Sequence, residues 1–405
     1  MPSPLSAAAA PPARLARRRA ALALALLLGL QPVATDVFLP ALPALTRALG
    51  APLAQAQLTM SVLILSFGIA QLAWGPVADR IGRRPVLLLG LALYTLAALG
   101  AVLAPGIETL VACRAVQGVA LAAAVVCARA LVRDLYEPHE GAQVMSLGLS
   151  GLAVIALLGP ALGAVAVTWF GWRAALALVA LAGAVTLAWV AWRLPETAPR
   201  LNPRATAPGP LLRQWIAIAR HPVFVAWTLL ISATYGGLFV ILAGSSFVFI
   251  DRLGLSPLVY GAAMGSGSLA YLAGTFACRR WVARHGVVAA VGRGGWFTLA
   301  GGASMAALAL AGVHSAWALL VPQWLYCFGH GLHQPCGQAA AVGPFPHAAG
   351  AAAALAGCVL AMTAFAIGLW LGRALQDGVI AYALGVGLWS VITCTVAWTL
   401  VRRLR

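Results

Sequence analysis

The sequence predicts an all-α membrane protein, with twelve transmembrane helices in two pseudo-symmetric six-helix bundles. Of its 405 residues, 62% are hydrophobic and only 9% are charged, whereas a soluble domain carries about 25% charged residues. Apolar stretches of about 20 residues recur along the chain, each long enough to cross ~30 Å of hydrocarbon as a helix. A proline- and arginine-rich segment near the middle divides these stretches into two sets.

The twelve predicted spans are numbered in chain order. They cover residues 20–43, 57–76, 86–104, 107–132, 142–168, 173–193, 222–249, 258–278, 287–312, 315–341, 348–373 and 377–401. The arginines before span 1 give the N-terminus the charge pattern of a signal peptide. The apolar run continues to Pro43, however, and eleven further spans follow, so we predict a retained first helix.

The basic residues are all arginines, and their placement predicts the orientation. With a cytoplasmic N-terminus, all but five lie on the cytoplasmic side, as the positive-inside rule requires. We therefore predict a multi-pass protein of the bacterial inner membrane, with both termini cytoplasmic. The net charge of +17 then needs no nucleic-acid partner, because the arginines form no compact basic domain. All seven cysteines lie in or at the edges of spans, and we expect no disulfide framework.

The predicted domains are an N-terminal six-helix bundle (1–193), a cytoplasmic linker (194–221) and a C-terminal six-helix bundle (222–405). The end of the linker has two interpretations. It is either irregular or a surface helix with Leu211, Leu212, Trp215 and Ile218 facing lipid. Two related halves favour a transporter that holds its substrate at the midplane between them.

A charged hairpin joins spans 2 and 3. It contains one aspartate and three arginines within six residues, flanked by glycines that allow two helix ends to approach closely. These charges can pair only if the hairpin holds one geometry. The residues concerned are Gly75, Asp79, Arg80, Gly82, Arg83 and Arg84.

Two opposite charges lie deep inside spans 1 and 4. Asp36 is the only acid well inside a span, and Arg114 lies about seven residues from the outer end of its helix, as Asp36 does. A charge buried ~10 Å deep costs several kcal/mol unless it is paired or hydrated. The two could meet directly or through water or substrate. A carboxylate that gains and loses a proton there would couple transport to protons; the alternative is a structural ion pair that only locks the two helices.

Span 5 contains Gly151, Gly159, Pro160 and Gly163. Proline bends a helix, and small residues four apart favour close helix packing. From the pattern alone, these positions could equally be ordinary transmembrane packing glycines.

Span 10 is unusually polar. It carries Cys327, His330, His333, Gln334 and Cys336. Three interpretations remain open: a packing patch of internally bonded histidines, a surface that contacts substrate or carries protons, and a passage site for copper or zinc. On a regular helix the four potential metal ligands fan across half the circumference, which disfavours a single ion.

Taken together, the hairpin, the sequence Arg114-x-x-Gln117-Gly118 and the glycine–proline stretch of span 5 resemble three motifs of drug/proton antiporters of the major facilitator superfamily. Further segments are similar to the bicyclomycin/chloramphenicol-resistance (Bcr/CflA) branch. These are residues 34–43, 128–136, 170–173, 194–197 and 246–251.

This resemblance implies roles for individual residues. Asp79 would accept hydrogen bonds from the N-terminus of helix 11, near residues 348–351, and Arg83 would pair with Asp134 at the inner end of helix 4. Together they would latch the cytoplasmic side in the outward-facing state. Arg114 would belong to the proton-coupling network, and Gly159 and Pro160 would shape the contact between helices 5 and 8.

The function we predict is proton-coupled efflux of small hydrophobic or amphipathic compounds, such as drugs, by alternating access. No enzymatic activity and no cofactor besides the proton gradient are expected, and the protein is expected to be a monomer. Candidates for the substrate cavity are Gln31, Gln117, Tyr235, Tyr271, Trp324, Tyr326, His330, His333 and Gln334. The alternatives are a proton-linked transporter of a metabolite or metal ion, and a membrane receptor or scaffold that does not transport.

Overall fold

A computed structural model of the chain describes residues 16–199, 201–375 and 378–404. Within these residues the secondary structure is helical, and no strand is present. The α-helices are α1 (Arg17–Asp36), α2 (Leu42–Ala48), α3 (Leu53–Ile81), α4 (Arg83–Val102), α5 (Ile107–Leu135), α6 (Pro138–Phe170), α7 (Trp172–Arg193), α8 (Pro208–Ala219), α9 (Pro222–Ser246), α10 (Pro257–His285), α11 (Val287–Leu310), α12 (Ala316–Val342), α13 (Ala349–Ala374) and α14 (Val379–Val396).

Twelve helical segments match the twelve predicted spans, with α1 and α2 together forming the first. In the part of the chain that the structure describes, nine segments are both long and apolar enough to cross a membrane. The other three, α10 to α12, have 24 to 29 residues and are therefore long enough at 1.5 Å per residue. They are less apolar because glycine, serine and polar residues interrupt them.

The helices form two sets of six, α1–α7 and α9–α14, with α2 as an extension of α1. Two helix pairs join the sets: α3 packs on α13, and α6 packs on α10. Helix α3 also packs on α5, and α6 on α1, within the first set. The boundary between the sets is therefore bordered by the helices that carry the motifs of spans 2 and 5.

The linker ends in a helix, α8, which resolves the two interpretations of this segment. Leu212 and Ile216 are exposed, but Ile218 is buried against a cluster that includes Phe224 and Trp227 of α9. The expectation that Ile218 faces lipid is therefore wrong, because this side chain holds α8 against the second set of helices.

The two ends of the bundle differ. We call the end that carries residues 194–221 the linker side and the opposite end the far side. On the far side Arg47 forms an ion pair with Asp251, and the Gln57 side-chain amide donates to the Ala243 carbonyl at 2.8 Å. Both contacts cross from the first set to the second, so the far side is closed.

Candidate functional site

Arg114 is wholly enclosed within the first set of helices. Its guanidinium donates to the carbonyls of Ala34 (2.7 Å) and Thr59 (3.2 Å) and to the Gln117 side chain (2.7 Å). It also lies 4.4 Å from the centre of the Phe38 ring, where the negative face of the ring attracts a cation. The buried charge is thus stabilised by dipoles and an aromatic ring, and it ties α5 to α1 and α3.

Asp36 is the last residue of α1 and is half-buried. The Thr35 hydroxyl donates to its Oδ1 at 2.8 Å. The turn that follows it, Leu39–Ala41, packs on α9 and α10 of the second set. The carboxyl group therefore lies at the boundary between the two sets of helices.

Asp36 and Arg114 do lie at the same depth, since Arg114 binds the carbonyl of Ala34, two residues before Asp36. Between these two described residues no ion pair is formed, however. A direct Asp36–Arg114 contact is ruled out for this conformation because the arginine points into the first set while the aspartate faces the second. What remains is an indirect connection through the end of α1.

The predicted pairing of Arg83 with Asp134 is present in the structure. Arg83 Nε lies 3.0 Å from Asp134 Oδ2, and both side chains are only 6% exposed. Arg83 also binds Asp79 Oδ1 at 2.6 Å. Two carboxylates thus share one buried guanidinium at the linker side of α3, α4 and α5.

Asp79 has a different environment from the one that the resemblance implied. Its side chain is 46% exposed, and the ion pair that it makes is with Arg83, within its own set. No hydrogen bond to the start of α13 is present among the described residues. This matches a conformation that is closed on the far side, since the latch was expected to engage in the opposite conformation.

The remaining hairpin residues bind the linker. Arg80 donates to the Thr206 hydroxyl at 2.9 Å, and Arg84 donates to the carbonyls of Leu194 and Ala191, each at 2.9 Å. The Asn202 backbone N–H donates to the Asp79 carbonyl at 2.9 Å. The hairpin is therefore held by the linker, whereas Gly75 packs loosely beside Val126.

Glu196 is a functional candidate that sequence reasoning missed. Its carboxylate accepts the backbone N–H groups of Arg83 (2.9 Å) and Arg84 (3.1 Å) at the start of α4. It also accepts those of Thr197 and Ala198. A helix N-terminus attracts negative charge, so Glu196 caps α4. The sequence singled out Leu194–Thr197 for its similarity to the Bcr/CflA branch. Arg83, which Glu196 binds, lies 113 residues away along the chain, and no local sequence pattern reveals such a pairing.

Gly82 makes this cap possible. Its φ of +103° lies in the left-handed region, which glycine adopts without steric cost. A Cβ atom at this position would also lie 2.5 Å from Glu196 Oε2. The glycine of the hairpin therefore serves both the turn and the approach of the carboxylate.

Glu196→Gln is expected to destabilise the hairpin. The amide group would place a donor against the N–H of one of the arginines, and loss of a helix cap costs about 1 kcal/mol. Thermal unfolding in detergent should show a lower transition temperature than wild type. Glu137→Gln is the matched control, because Glu137 stands at the start of α6 but makes no cap hydrogen bond within the described structure. Equal shifts for both variants would contradict the role given to Glu196.

The motif of span 5 is divided between two contacts. A Cβ atom on Gly151 would meet Ala25, and one on Gly159 would meet Asp36, so these glycines pack on α1. Only Pro160 lies at the contact with α10, where its carbonyl approaches Gly261. The expectation that Gly159 shapes the contact between helices 5 and 8 is therefore wrong, because Gly159 faces the end of α1 rather than α10.

Gly163→Ala is expected to impair both stability and transport. The new Cβ atom would clash with the Val37 carbonyl oxygen, so α6 must move away from the end of α1 that carries Asp36. Overpacking of this kind costs about 1–3 kcal/mol. Gly292→Ala in α11 is the control, since its Cβ would meet nothing closer than 3.9 Å. Wild-type stability and transport in the Gly163 variant would refute the contact.

The polar side chains of span 10 lie on α12, where they point to different neighbours. His330 and His333 both approach the hydroxyl of Thr234 on α9, and Cys336 lies 3.3 Å from Cys278 of α10. Cys327 lies instead on the side that faces Gly267 of α10. In the described ranges no three His, Cys, Asp or Glu side chains converge as metal ligands.

The substrate-cavity candidates fall into two groups. Gln117, Tyr326 and His333 are buried inside one set of helices, at most 1% exposed, and are not accessible to substrate in this conformation. Trp324 is half-buried and donates to Ser266 at 2.8 Å. The candidates with partly accessible side chains are Gln31, Tyr235, Tyr271 and Gln334; His330 is 3% exposed.

The fold and the paired motifs define a polytopic membrane transporter built from two six-helix sets. Residues 24–369 match the profile of the Major Facilitator Superfamily, and the chain belongs to this family.

Three similar proteins narrow the comparison. The chain is 32% identical to multidrug resistance protein D of Escherichia coli (strain K12), over 83% of this chain and 84% of that protein. It is 28% identical to a chloramphenicol resistance protein of Pseudomonas aeruginosa, over 80% and 76% of the two chains. These names are consistent with the Bcr/CflA branch. The xylose transporter XylE from E. coli, in a partially occluded inward-open conformation, has the same fold, with a TM-score of 0.75, 15% identity and coverage of 94% and 97%.

Proposed function

We propose that the protein exports small hydrophobic or amphipathic compounds, drugs among them, in exchange for protons. The observation that carries this proposal is the position of Asp36. It is a half-buried carboxyl group that faces the boundary between the two helix sets, next to an enclosed Arg114. The names of the relatives, which refer to multidrug and chloramphenicol resistance, support the same substrate class.

The proposed mechanism follows from the far-side contacts that join the two sets of helices. With the far side closed, Asp36 is reached from the linker side, where substrate enters. Binding of substrate and release of the proton compete at the same carboxyl group. Since Arg114 holds the Ala34 carbonyl, any movement at the end of α1 is passed to α3 and α5.

The hairpin takes part in the conformational change that closes the linker side. When the linker side closes, Asp79 leaves its exposed position and meets the N-terminus of α13, whose backbone N–H groups attract an anion. Arg83 stays with Asp134 and keeps the hairpin aligned. The proton gradient supplies the energy, and the proposal includes neither a cofactor nor a chemical reaction.

The linker side is proposed to face the cytoplasm, because the arginines concentrate there. This places both termini inside a bacterial cell, in its inner membrane, with the protein acting as a monomer. Transport of a metal ion is not favoured, since the potential metal ligands of α12 do not converge on one point. A non-transporting receptor has no evident use for an exposed latch and a carboxyl group at the boundary.

The proposal is tested by transport into proteoliposomes that contain the purified protein. Chloramphenicol uptake should follow an imposed pH gradient, and dissipation of the gradient should stop it. Cells that overproduce the protein should tolerate more chloramphenicol or another compound of a standard antimicrobial panel. Absence of both effects across the panel would refute the assignment.

A further inference from the structure

A chain of hydrogen bonds links three side chains inside the second set of helices. His333 Nε2 lies 3.2 Å from the Val291 carbonyl oxygen, and His333 Nδ1 lies 3.4 Å from the Thr234 hydroxyl. The same hydroxyl lies 3.0 Å from His330 Nδ1. We call His333, Thr234 and His330 the relay.

Elementary hydrogen-bond chemistry fixes the direction of the relay. A carbonyl oxygen only accepts, so His333 Nε2 carries a proton. His333 is fully buried with no carboxylate partner among the described residues, and a lone buried charge is costly, so the ring is neutral. Its Nδ1 is then an acceptor. Donation of the single Thr234 hydroxyl proton to this nitrogen, rather than to His330, is the arrangement that gives every polar atom joined in the relay a partner.

The last step concerns His330. Because the Thr234 proton is already committed, its oxygen accepts from His330 Nδ1–H. His330 lacks a carboxylate partner in the described structure as well, and it is 97% enclosed. Its neutral ring therefore has its proton on Nδ1 and an unprotonated Nε2.

The geometry of α12 shows where this nitrogen is presented. His330 is on the side of α12 that meets α9, and Gly331 meets Tyr271 of α10. At its far-side end the sector between these contacts packs on α10, where Gln323 and Cys327 lie beside Gly267. Toward the linker side the same sector becomes accessible, since Gln334 is half-buried and Gln338 is exposed. His330 borders this sector, with the half-buried Tyr271 ring 5.5 Å away.

We propose that His330 Nε2 is a fixed hydrogen-bond acceptor on the wall of the transport pathway and recognises substrates that carry an O–H or N–H donor. Gln334 lies one turn further along the same sector. Its Oε1 is buried with no hydrogen-bond partner in the part of the chain that the structure describes, and it supplies a second acceptor. Thr234 and His333 are positioning residues, because they determine which nitrogen of His330 is unprotonated. This inference rests on the proposed function and names the chemical feature that the exported compounds share.

The tautomer of His330 tests the relay without any ligand. In ¹⁵N spectra of the histidine-labelled full-length protein at pH 7, the His330 signal is identified by its disappearance in His330→Gln. This signal should show a protonated Nδ1 and an unprotonated Nε2. Thr234→Val removes the hydroxyl that joins the two histidines, so the fraction of His330 with a protonated Nε2 should rise. Thr228→Val is the matched control and should leave the signal unchanged, since this buried hydroxyl on the same helix has no hydrogen-bond partner among the described residues. A protonated Nε2 or a charged ring in wild type would overturn the inference.

The ligand is tested with chloramphenicol, which carries two hydroxyl groups and an amide N–H. Adding it should shift the Nε2 signal, and His330→Phe should weaken its binding about fivefold, the value of one hydrogen bond. His285→Phe, at the exposed end of α10, should bind as wild type does. If cells export chloramphenicol while the signal and the affinity stay unchanged, the inference fails and the proposed function stands. If no compound is exported, the proposed function fails, and the tautomer measurement still decides the relay.

Discussion

Asp36→Asn is expected to abolish transport driven by a pH gradient while leaving the protein folded. Asparagine keeps the size of the side chain and can still accept the hydrogen bond from Thr35, so the end of α1 should remain in place. It cannot gain or lose a proton, however. Uptake of chloramphenicol into proteoliposomes should therefore no longer respond to the gradient.

A second measurement separates proton coupling from substrate binding. Exchange of labelled for unlabelled chloramphenicol across the membrane needs no net proton movement, so Asp36→Asn should retain it if the pathway is intact. Glu108→Gln is the control, because Glu108 is an exposed acid in the first turn of α5 and should not affect either assay. Undiminished uphill transport by Asp36→Asn would remove this residue from the mechanism.

The sequence predicted the parts of this site that depend on helices and on charge. Long apolar stretches can satisfy their backbone in lipid only as helices or closed barrels, so the twelve spans followed from length and composition. The depth of Asp36 and Arg114 followed from counting residues along two helices. The pairing of Arg83 with Asp134 came from resemblance rather than from any spacing.

Side-chain direction explains most of what could not be predicted. Asp36 and Arg114 share a depth, but the rotation of each helix decides whether they meet, and a sequence does not fix that rotation. The same holds for Gly159, which faces α1 rather than α10. The Glu196 cap was out of reach for a different reason, since it joins the linker to a hairpin more than a hundred residues earlier.

Removal of either charge of the Arg83–Asp134 pair is expected to cause a large loss of transport. Both side chains are 6% exposed, and removing one partner of such a buried pair costs about 3–5 kcal/mol. Arg83→Gln would also release Asp79, whereas Asp134→Asn would leave the Arg83–Asp79 contact. Transport assays should therefore show the stronger defect for Arg83→Gln. Arg133→Gln is the control: it lies 3.8 Å from the same Asp134 but is 60% exposed, and exposed pairs contribute about 0–1 kcal/mol.

The charge swap Arg83→Asp with Asp134→Arg should restore part of the transport that either single reversal removes. The restoration is expected to be incomplete, because the new aspartate would stand beside Asp79 and the new arginine beside Arg133. Adding Arg133→Gln to the swapped protein removes one of these repulsions and should raise transport further. A swapped protein no better than the worse single reversal would mean that the two residues contribute separately. The gain from the third substitution would show that the pair acts as one unit with its charged neighbours, which is what a hairpin held in a single geometry requires.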